Sequence, residues 1–405
     1  MKKIFHFNPT NEIAVFNNTV SYTPPAFLRK FEEDVSPLLG FAGGGGDMLI
    51  SDNSSVEVLR NFWRDVGVEL PGVIRTKEIA ELNVDDTVYP VPWGWNKSVH
   101  RLFSPLKPFF DDEFRASPNF EWKENYRDFF SRVTSAAFMN EVRQVTGMHE
   151  FISIPYSPGI IREQKALDRW LTEAEPPYVF KTPWSSSGRG LYPVTDEEFV
   201  KRCRIWVDSR LKQQGMLLTE PWLNKKQDLS FQFYIHSGGR VSFLGVNFFE
   251  AGRVGEFKKE YIGMPDELTD RLRSFCMPDG WEKETAEILT EVLNRSDYHK
   301  FYEGPIGIDG MFFEDDEGKI KLHPCIEINF RLNMGYVNLK LKDILHPEAK
   351  GEWTIRQFRH GEWRKFAGEG LKALPVRMSE EKILKGFLPL VPVSEDQLYG
   401  VWAVI

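Results

Sequence analysis

The first third of the chain alternates between short apolar stretches and longer stretches with helical spacing. The stretches that predict strands are KKIFHFN, MLIS and DTVYPVP. The stretches that predict helices are SSVEVLRNFWRDVGVEL, which begins with serine, and a second one that begins near Ser98. Because strands that alternate with helices form layered α/β structures, we expect a small α/β domain over residues 1–127.

The pattern changes from about Asp128 onward, where helices are followed by runs of consecutive strands. Helical spacing covers FFSRVTSAAFMNEVRQVTG, DEEFVKRCRIWVDSRLKQQG and GWEKETAEILTEVLNRS. Strands are predicted for PPYVFK, MLLTEPWL, LSFQFYIH, RVSFLGVNFF, GPIGIDGMFFED and KIKLHPCIEINF, and the turns SGG and DDEGK predict two hairpins. We therefore expect an α+β part over 128–345, made of lobes 128–222 and 223–345, and a C-terminal extension, 346–405, packed on the core.

Composition and charge indicate a globular protein and argue against several kinds of partner and site. Hydrophobic residues make up 41% and charged residues 27%, which is a globular composition with enough material for a core. The 59 acidic residues outnumber the 51 basic ones, for a net charge of −8, and this argues against a nucleic-acid partner. Three cysteines lie far apart in sequence, so neither a disulfide framework nor a zinc site is predicted.

Neither membrane insertion nor secretion is indicated by the sequence. No run of about 18 apolar residues occurs, so we expect no membrane span. The apolar stretch at the N-terminus is interrupted by Asn8, Asn11 and Glu12, whereas a secretory signal needs a longer unbroken one. We therefore expect a cytoplasmic protein.

The most informative stretch is GIDGMFFEDDEGKIKLHPCIEINFRLNMG, in which polar side chains interrupt two apolar strands. Glu327 and Asn329 are two residues apart and point to one face, and counting back from the turn places Asp309 on the same surface. Three oxygen-bearing side chains among apolar neighbours are costly unless a cation compensates them, and Mg²⁺ prefers such ligands. Arg331 follows on the same face and suits a phosphate or carboxylate. Each residue alone has an ordinary structural explanation, but together they favour a metal–phosphate site.

A small-residue loop, KTPWSSSGRG, follows the strand that ends at Lys181. The chain has no GxxxxGK[ST] motif, so this is not a P-loop. Lys181 supplies charge, and the backbone N–H groups of 185–190 can donate to phosphate because small residues let the backbone come close. Taken alone, the loop is equally compatible with a mobile surface turn.

A third element, LLTEPWLNKKQDL, predicts a hinge beside a nucleotide base. Glu220 ends an apolar strand, and the backbone at Trp222 or Leu223 can bind the edge of a base, with a Glu220 oxygen near an exocyclic amine. Asp228, eight residues later, can accept hydrogen bonds from ribose hydroxyls. A simple strand-end cap is the alternative for this element.

In order and spacing, these elements resemble the ATP-grasp superfamily of carboxylate–amine ligases over about residues 128–340. The matching elements are Ser131–Arg132 before a helix, VFK ending at Lys181, SSSGRG, TEPWL, Asp228, Asp309 and EINFRLNMG. The resemblance implies a small N-terminal α/β lobe followed by a two-lobed α+β fold that holds the nucleotide between its lobes.

The resemblance also implies roles for individual residues. It assigns ATP binding to Arg132, Lys181, Ser185, Ser186, Ser187, Gly188, Arg189, Gly190, Glu220, Trp222, Leu223, Asp228 and Asn333. It assigns one or two Mg²⁺ ions, or Mn²⁺, to Asp309, Glu327 and Asn329, and catalytic roles to Lys181 and Arg331. Arg132 stands where many members have a phosphate-contacting lysine.

The activity implied by the resemblance is ATP-dependent joining of a carboxylate to an amine through an acyl phosphate. A phosphotransferase on the same scaffold and a nucleotide-binding module without turnover are the alternatives. Both substrates are expected to be small molecules, but neither is identified by the sequence, and the oligomeric state is open. Further candidates for the substrate side are the walls Gly43–Gly46 and Pro92–Trp95, and the basic residues Arg253, Lys258 and Lys259. For the glycine run, a tight turn is the preferred interpretation. Buried aromatic packing is the commoner role for the tryptophans, and the basic residues are equally compatible with a solvated charged loop.

Overall fold

The structure is a computed structural model that describes residues 1–405 except 83, 85, 186, 187, 253 and 254, and except the side chains of 197–201. Its strands are β1 (Lys2–His6), β2 (Met48–Ile50), β3 (Gly72–Ile74), β4 (Val88–Pro92), β5 (Gly159–Ile161), β6 (Tyr178–Lys181), β7 (Leu191–Val194), β8 (Leu217–Pro221), β9 (Asn224–Ile235), β10 (Val241–Ala251), β11 (Phe257–Ile262), β12 (Gly304–Glu314), β13 (Ile320–Asn329), β14 (Gly351–Gln357), β15 (Arg377–Ser379), β16 (Lys382–Lys385), β17 (Phe387–Pro389) and β18 (Tyr399–Val404).

The α-helices are α1 (Asn11–Asn17), α2 (Ala26–Val35), α3 (Val56–Asp65), α4 (Lys97–Phe103), α5 (Asp112–Ala116), α6 (Tyr126–Phe129), α7 (Arg132–Thr146), α8 (Gln164–Glu173), α9 (Glu197–Gln214), α10 (Asp266–Ser274), α11 (Trp281–Arg295), α12 (Met334–Ile344) and α13 (Glu362–Ala373). No helix in the described part of the chain is long and apolar enough to cross a membrane.

The N-terminal strands form a parallel sheet in the order β3-β2-β1-β4, which confirms the predicted α/β lobe. The chain adds β2 and β3 on one side of β1 and then returns to place β4 on the other side. The carboxyl ends of β1 and β4 therefore meet at a topological switch point, where open α/β sheets bind ligands.

The second sheet is small and antiparallel, in the order β5-β8-β6-β7. Its core joins the sheet to the helices that cover it, through Ile161, Leu167, Phe180 and Val207. The strands β6 and β7 are paired, so the small-residue loop is the hairpin connection between them, as expected.

The third sheet runs β13-β12-β9-β10-β11-β14-β18-β17, with every neighbouring pair antiparallel. Both predicted hairpins, β9–β10 and β12–β13, are present. One face packs on α7 and α11 through residues such as Phe231, Ile308 and Leu289. Because side chains alternate along a strand, the opposite face carries the polar residues of the same strands.

The C-terminal strands β14, β18 and β17 extend this large sheet and also contact the N-terminal lobe. The Asp34 carboxylate, in α2, accepts the backbone N–H groups of Leu398 and Tyr399 at 2.8 and 3.1 Å. Asn53 donates to the Gln397 side chain at 2.9 Å. These bonds hold the first lobe against the last strands.

Candidate functional site

The predicted metal ligands lie together on the polar face of the β12–β13 hairpin. Asp309 is the direct cross-strand partner of Glu327, and Gly307 is the partner of Asn329. The Asn329 amide donates to Asp309 Oδ2 at 2.9 Å. Within the described residues no three Asp, Glu, His or Cys side chains come together, so the donor set here is two carboxylates and one amide.

In this hairpin Glu327 pairs with Arg132 at 3.1 Å, while Asp309 has no ion-pair partner among the described residues. Burial and, next, the neighbouring Glu327 charge raise the pKa of Asp309 to about 6, although the Ser230 hydroxyl and Arg331 act in the opposite direction. Like charges directly opposite each other destabilise a strand pair. A divalent cation would remove this cost, and carboxylate and amide oxygens are ligands that Mg²⁺ accepts, so the residues present fit the predicted ion.

Arg331 lies beside the hairpin and is held from two sides. Its Nη2 donates to Asn329 Oδ1 at 2.9 Å, and its Nε donates to Glu12 Oε1 at 2.5 Å. Its guanidinium lies 5.9 Å from the centre of the Trp93 ring. The predicted arginine is therefore in place, but its partners come from the first lobe as well as from the hairpin.

Lys181 and Glu220 form a buried ion pair on the facing small sheet. Lys181 Nζ donates to Glu220 Oε2 at 2.5 Å, and the Tyr156 hydroxyl donates to the same oxygen at 2.9 Å. The adjacent strands β6 and β8 bring the two charges together. The two residues were predicted for different roles, and their pairing was not predicted.

His323 is a buried neighbour of this pair. Its ring centre lies 5.5 Å from that of Tyr156. Neither ring nitrogen has a hydrogen-bond partner among the described residues. Burial and, next, the charge of Lys181 lower the pKa of His323 to about 3, so the ring is neutral. His323 is fully buried in the core.

Arg132 joins the start of the small-residue loop to the metal hairpin. Its Nη1 donates to the Thr182 carbonyl at 2.8 Å and to the Ser185 hydroxyl, and its Nη2 donates to Glu327 Oε2 at 3.1 Å. Its backbone N–H donates to the Pro183 carbonyl at 2.9 Å. These contacts bring three predicted residues together from three separate segments.

The loop itself requires small residues at two described positions. A Cβ on Gly190 would lie 1.9 Å from Ser185 Oγ and 2.1 Å from Thr182 Oγ1, so a side chain does not fit there. Gly188 has a φ of 73°, a conformation that favours glycine. Arg189 is exposed. Ser186 and Ser187 lie outside the described residues.

The predicted hinge follows β8. The Trp222 N–H donates to the Pro177 carbonyl at 3.0 Å, and the Leu223 carbonyl accepts from the Lys225 N–H at 2.9 Å. Asp228 Oδ2 accepts from Lys225 Nζ at 2.7 Å and from the Ala251 N–H at 3.0 Å. Burial raises the pKa of Asp228.

Asn333 and Asp228 lie close to the hairpin in different ways. Asp228 is the cross-strand partner of Met311, two positions from Asp309 along β12, so it shares the polar face. Asn333 caps α12, where its side-chain oxygen accepts from the Tyr336 N–H at 3.0 Å. The oxygen of Asn333 is thus already used by the backbone.

Two further candidates do not join the site. In the glycine run, the Gly44 N–H donates to Asp47 Oδ2 at 3.0 Å, which makes a closed turn before β2, at the sheet edge away from the carboxyl ends. Lys259 pairs with Glu352 at 2.8 Å. Lys258 is exposed, and Arg253 lies outside the described residues.

Reasoning from the sequence did not assign a role to Glu12, which lines the same cleft. The cleft between the lobes is lined by Asn11, Glu12, Phe130, Ser131, Arg132, Ser135, Pro183, Ser185, Glu327, Ile328, Asn329, Phe330 and Arg331. Glu12 was noted only because it interrupts the first apolar stretch. Polar residues directly after the first strand of an α/β lobe were the available signal, since such positions lie at the ligand-binding edge.

Comparison with known proteins identifies the fold. No family model matches the chain, and no curated protein matches it. Among solved structures, the whole chain is similar to the biotin carboxylase domain of Hydrogenobacter thermophilus 2-oxoglutarate carboxylase, complexed with ADP, its magnesium salt and bicarbonate (14% identity, 86% of that chain, TM-score 0.52).

Two other solved structures also match the whole chain. One is biotin carboxylase from Campylobacter jejuni complexed with β,γ-ATP (12% identity, 87% of that chain, TM-score 0.51). The other is N5-carboxyaminoimidazole ribonucleotide synthetase from Thermus thermophilus (12% identity, 93% of that chain, TM-score 0.50). At these identities the likeness shows the fold, and it confirms the fold class predicted from the sequence.

Proposed function

We propose that this chain, which has the ATP-grasp fold, is an ATP- and Mg²⁺-dependent ligase that activates a carboxylate as an acyl phosphate and joins it to an amine. The observation that carries the proposal is the direct opposition of Asp309 and Glu327, with Asn329 beside them, next to Arg331. The similar carboxylase domain in complex with magnesium ADP and bicarbonate supports it, since that protein binds both a nucleotide and a small carboxylate-like anion.

Asp309, Glu327 and Asn329 would hold the metal. When bound, Mg²⁺ supplies positive charge that neutralises the phosphate oxygens during phosphoryl transfer. The hairpin positions its donors before any ligand arrives, because strand register and the Asn329–Asp309 hydrogen bond define their places. Such preorganised charge is the largest contribution that a protein makes to this class of reaction.

Lys181, Arg132 and the loop backbone would bind the phosphates from the opposite side. Lys181 and Arg132 hold their positive charges at the cleft through Glu220 and Glu327, respectively. Arg331 would bind the substrate carboxylate and then stabilise the charge of the acyl phosphate. No covalent nucleophile is needed in this scheme.

The base and ribose would lie along the hinge. The Trp222 N–H is used by Pro177, so the free edge for a base would come from the Trp222 carbonyl and the Leu223 N–H. Asp228 uses Oδ2 for Lys225 and Ala251, which leaves Oδ1 for a ribose hydroxyl. In this arrangement Glu220 acts on the nucleotide through Lys181.

The proposal also covers the domain boundaries, the partners and the cellular location of the protein. We keep the division into 1–127, 128–345 and 346–405, with the nucleotide between 128–222 and 223–345. Small molecules are the expected partners, and a cytoplasmic location is part of the proposal. Trp93 and Trp95 are buried in the core, with the Trp93 ring 5.9 Å from the Arg331 guanidinium, so Pro92–Trp95 would back the substrate side from within the first lobe.

The first experiment is calorimetry of ATP binding with and without Mg²⁺, on the wild type and on Glu327→Gln. The wild type should bind ATP more tightly with Mg²⁺, and Glu327→Gln should lose most of the Mg²⁺ dependence. Glu317→Gln, an exposed change in the turn of the same hairpin, is the matched control and should behave as the wild type.

Absence of ATP binding to the wild type, or an unchanged Mg²⁺ dependence in Glu327→Gln, would refute the proposed site. If the site is confirmed, pairs of carboxylates and amines are screened for release of ADP and phosphate. A ligase releases free phosphate only when both substrates are present, whereas a phosphotransferase leaves the phosphate on the acceptor.

A further inference from the structure

Glu12 occupies the ligand-binding edge of the first lobe. It belongs to α1, which follows β1, and Trp93 follows β4, so both residues lie at the switch point between these strands. Neither residue belongs to the part of the chain expected to hold ATP. A ligand in this crevice would therefore be a substrate and not the nucleotide.

Glu12 also contacts the carboxylate-activating side of the cleft directly. Its Oε1 accepts from Arg331 Nε at 2.5 Å, and the two side chains are only 14% and 15% exposed. Both residues line the cleft that contains Arg132, Ser185 and Glu327. A group bound at Glu12 is thus adjacent to the arginine expected to hold the acyl phosphate.

The second carboxylate oxygen of Glu12 has no hydrogen-bond partner. Oε2 is shielded from solvent, and none of the described residues donates to it. Arg331 does not donate to it either: Nε donates to Oε1, Nη1 to the Leu332 carbonyl and Nη2 to Asn329, which leaves one N–H on each Nη for a ligand. A buried acceptor without a protein partner is unfavourable, so Oε2 is a position where a hydrogen-bond donor of a ligand would be stabilising.

The charge of the site selects the chemical class of that donor. A carboxylate ligand would be repelled by Glu12, whereas an ammonium group offers three N–H donors and a compensating charge. We infer that Glu12 binds the amine substrate in its ammonium form, with Oε2 as the acceptor, beside the carboxylate held by Arg331. This inference rests on the proposed function, and it specifies a cationic primary amine as the second substrate.

A simpler role for Glu12 is to orient Arg331, and the Glu12→Gln variant separates the two roles. The amide oxygen of glutamine can still accept from Arg331 Nε, but the side chain carries no charge and cannot compensate an ammonium group. Glu57→Gln makes the same chemical change at an exposed position of α3 in the same lobe and serves as the matched control.

The probes are glycinamide, which is largely an ammonium ion at about pH 7, and glycolamide, which has a hydroxyl group in its place. Both are titrated into the protein saturated with Mg²⁺ and a non-hydrolysable ATP analogue, and binding is followed by ligand-observed NMR. The wild type and Glu57→Gln should bind glycinamide at least about tenfold more tightly than glycolamide, because hydrogen bonds to charged groups are the stronger ones. Glu12→Gln should lose this preference and still bind the ATP analogue.

The outcomes separate this inference from the proposed function. If the wild type does not bind the ATP analogue, both fail together. If the analogue binds but the wild type shows no preference for glycinamide, the ammonium site alone is refuted, and this measurement needs no variant. A preference that survives in Glu12→Gln refutes it as well, and loss of analogue binding in that variant points to a role in positioning Arg331 instead.

Discussion

Two pairs of charged side chains, a buried one on the small sheet and a partly buried one on the large sheet, are built in opposite ways. On the small sheet, Lys181 and Glu220 carry opposite charges, and Tyr156 adds a hydrogen bond to the same carboxylate. On the large sheet, Asp309 and Glu327 carry like charges in direct register. The first site is a pair of opposite charges, while in the second Glu327 pairs with Arg132 and Asp309 has no ion-pair partner among the described residues.

We interpret the difference in terms of the proposed function: the Lys181–Glu220 pair stabilises the fold, and the Asp309–Glu327 pair is placed to bind a cation. In the small sheet each buried charge has an opposite charge beside it, but Asp309 has a pKa raised to about 6 by burial and by Glu327. The folding free energy spent on opposing two carboxylates is recovered when a cation binds, because binding to the folded state stabilises it. In this interpretation the charged pair of the small sheet stabilises the folded protein, and that of the large sheet would bind the cation.

The largest loss of stability is expected from breaking the Lys181–Glu220 pair. Lys181→Met leaves the Glu220 carboxylate buried without its cation, and removal of one partner of a buried pair typically costs about 3–5 kcal/mol. The measurement is urea unfolding without ligands. Lys226→Met, which removes a partly exposed ion pair with Glu314, is the control and should cost less than about 1 kcal/mol.

The double variant Lys181→Met/Glu220→Gln tests the cause of that loss. Removing the second charge as well should recover part of the stability, because no uncompensated carboxylate remains buried. If Lys181→Met and the surface control lose equal amounts of stability, this pair does not stabilise the fold. The contrast drawn between the two charged pairs would then be wrong.

A smaller effect, an increase in stability, is expected from removing the charge of Asp309. The folded-state pKa of Asp309, about 6, lies above its ordinary value of 3.8, so between these values the folded protein binds more protons than the unfolded chain. Stability therefore falls as pH rises from about 4 to about 6 and stays reduced above that range. Asp309→Asn should raise the stability of the ligand-free protein by roughly 3 kcal/mol near pH 7.5, with little effect near pH 4.

Thermal unfolding across that pH range, without Mg²⁺ and nucleotide, measures this gain. Asp316→Asn, an exposed change in the turn of the hairpin, should leave the profile unchanged. Addition of Mg²⁺ and ATP should stabilise the wild type more than Asp309→Asn. A destabilised Asp309→Asn at pH 7.5 would show that the two carboxylates are compensated within the protein after all.

The smallest effect on stability is expected from removing one hydrogen bond to Glu220. Tyr156→Phe removes the hydroxyl that donates to Glu220 but keeps the ring and the Lys181 pair. A hydrogen bond to a charged acceptor contributes about 1.5–3 kcal/mol, so the variant should lose less stability than Lys181→Met. Urea unfolding of both variants in parallel gives the order, and a reversed order would assign the support to the tyrosine.

The placement of Asp309, Glu327 and Asn329 on the β12–β13 hairpin could be predicted because its geometry is local. Asp309 and Glu327 are joined by a short turn, and the two-residue period of a strand places Glu327 and Asn329 on one face without any knowledge of the rest of the chain. The same reasoning located the loop after Lys181 as a hairpin connection. Short-range pattern and turn chemistry were sufficient in both places.

What could not be predicted depends on contacts between distant segments. Glu12 and Arg331 are separated by 319 positions, and no local period relates them. The pairing of Lys181 with Glu220 follows from the order of strands in the small sheet, which composition does not determine. The strands β14, β17 and β18 join the large sheet for the same reason, since a short strand gains its stability from the neighbour that it pairs with.

The bond between Asn53 and Gln397, 344 positions apart, has a consequence for how the molecule forms. Contacts of such sequence separation are the slowest to form, because loop closure must precede them. The hairpins can form early and alone, but the crevice between Glu12 and Arg331 exists only after the first lobe has docked on the last strands. In a folding chain, Asp309 and Glu327 can therefore come into register before the crevice beside Glu12 has formed.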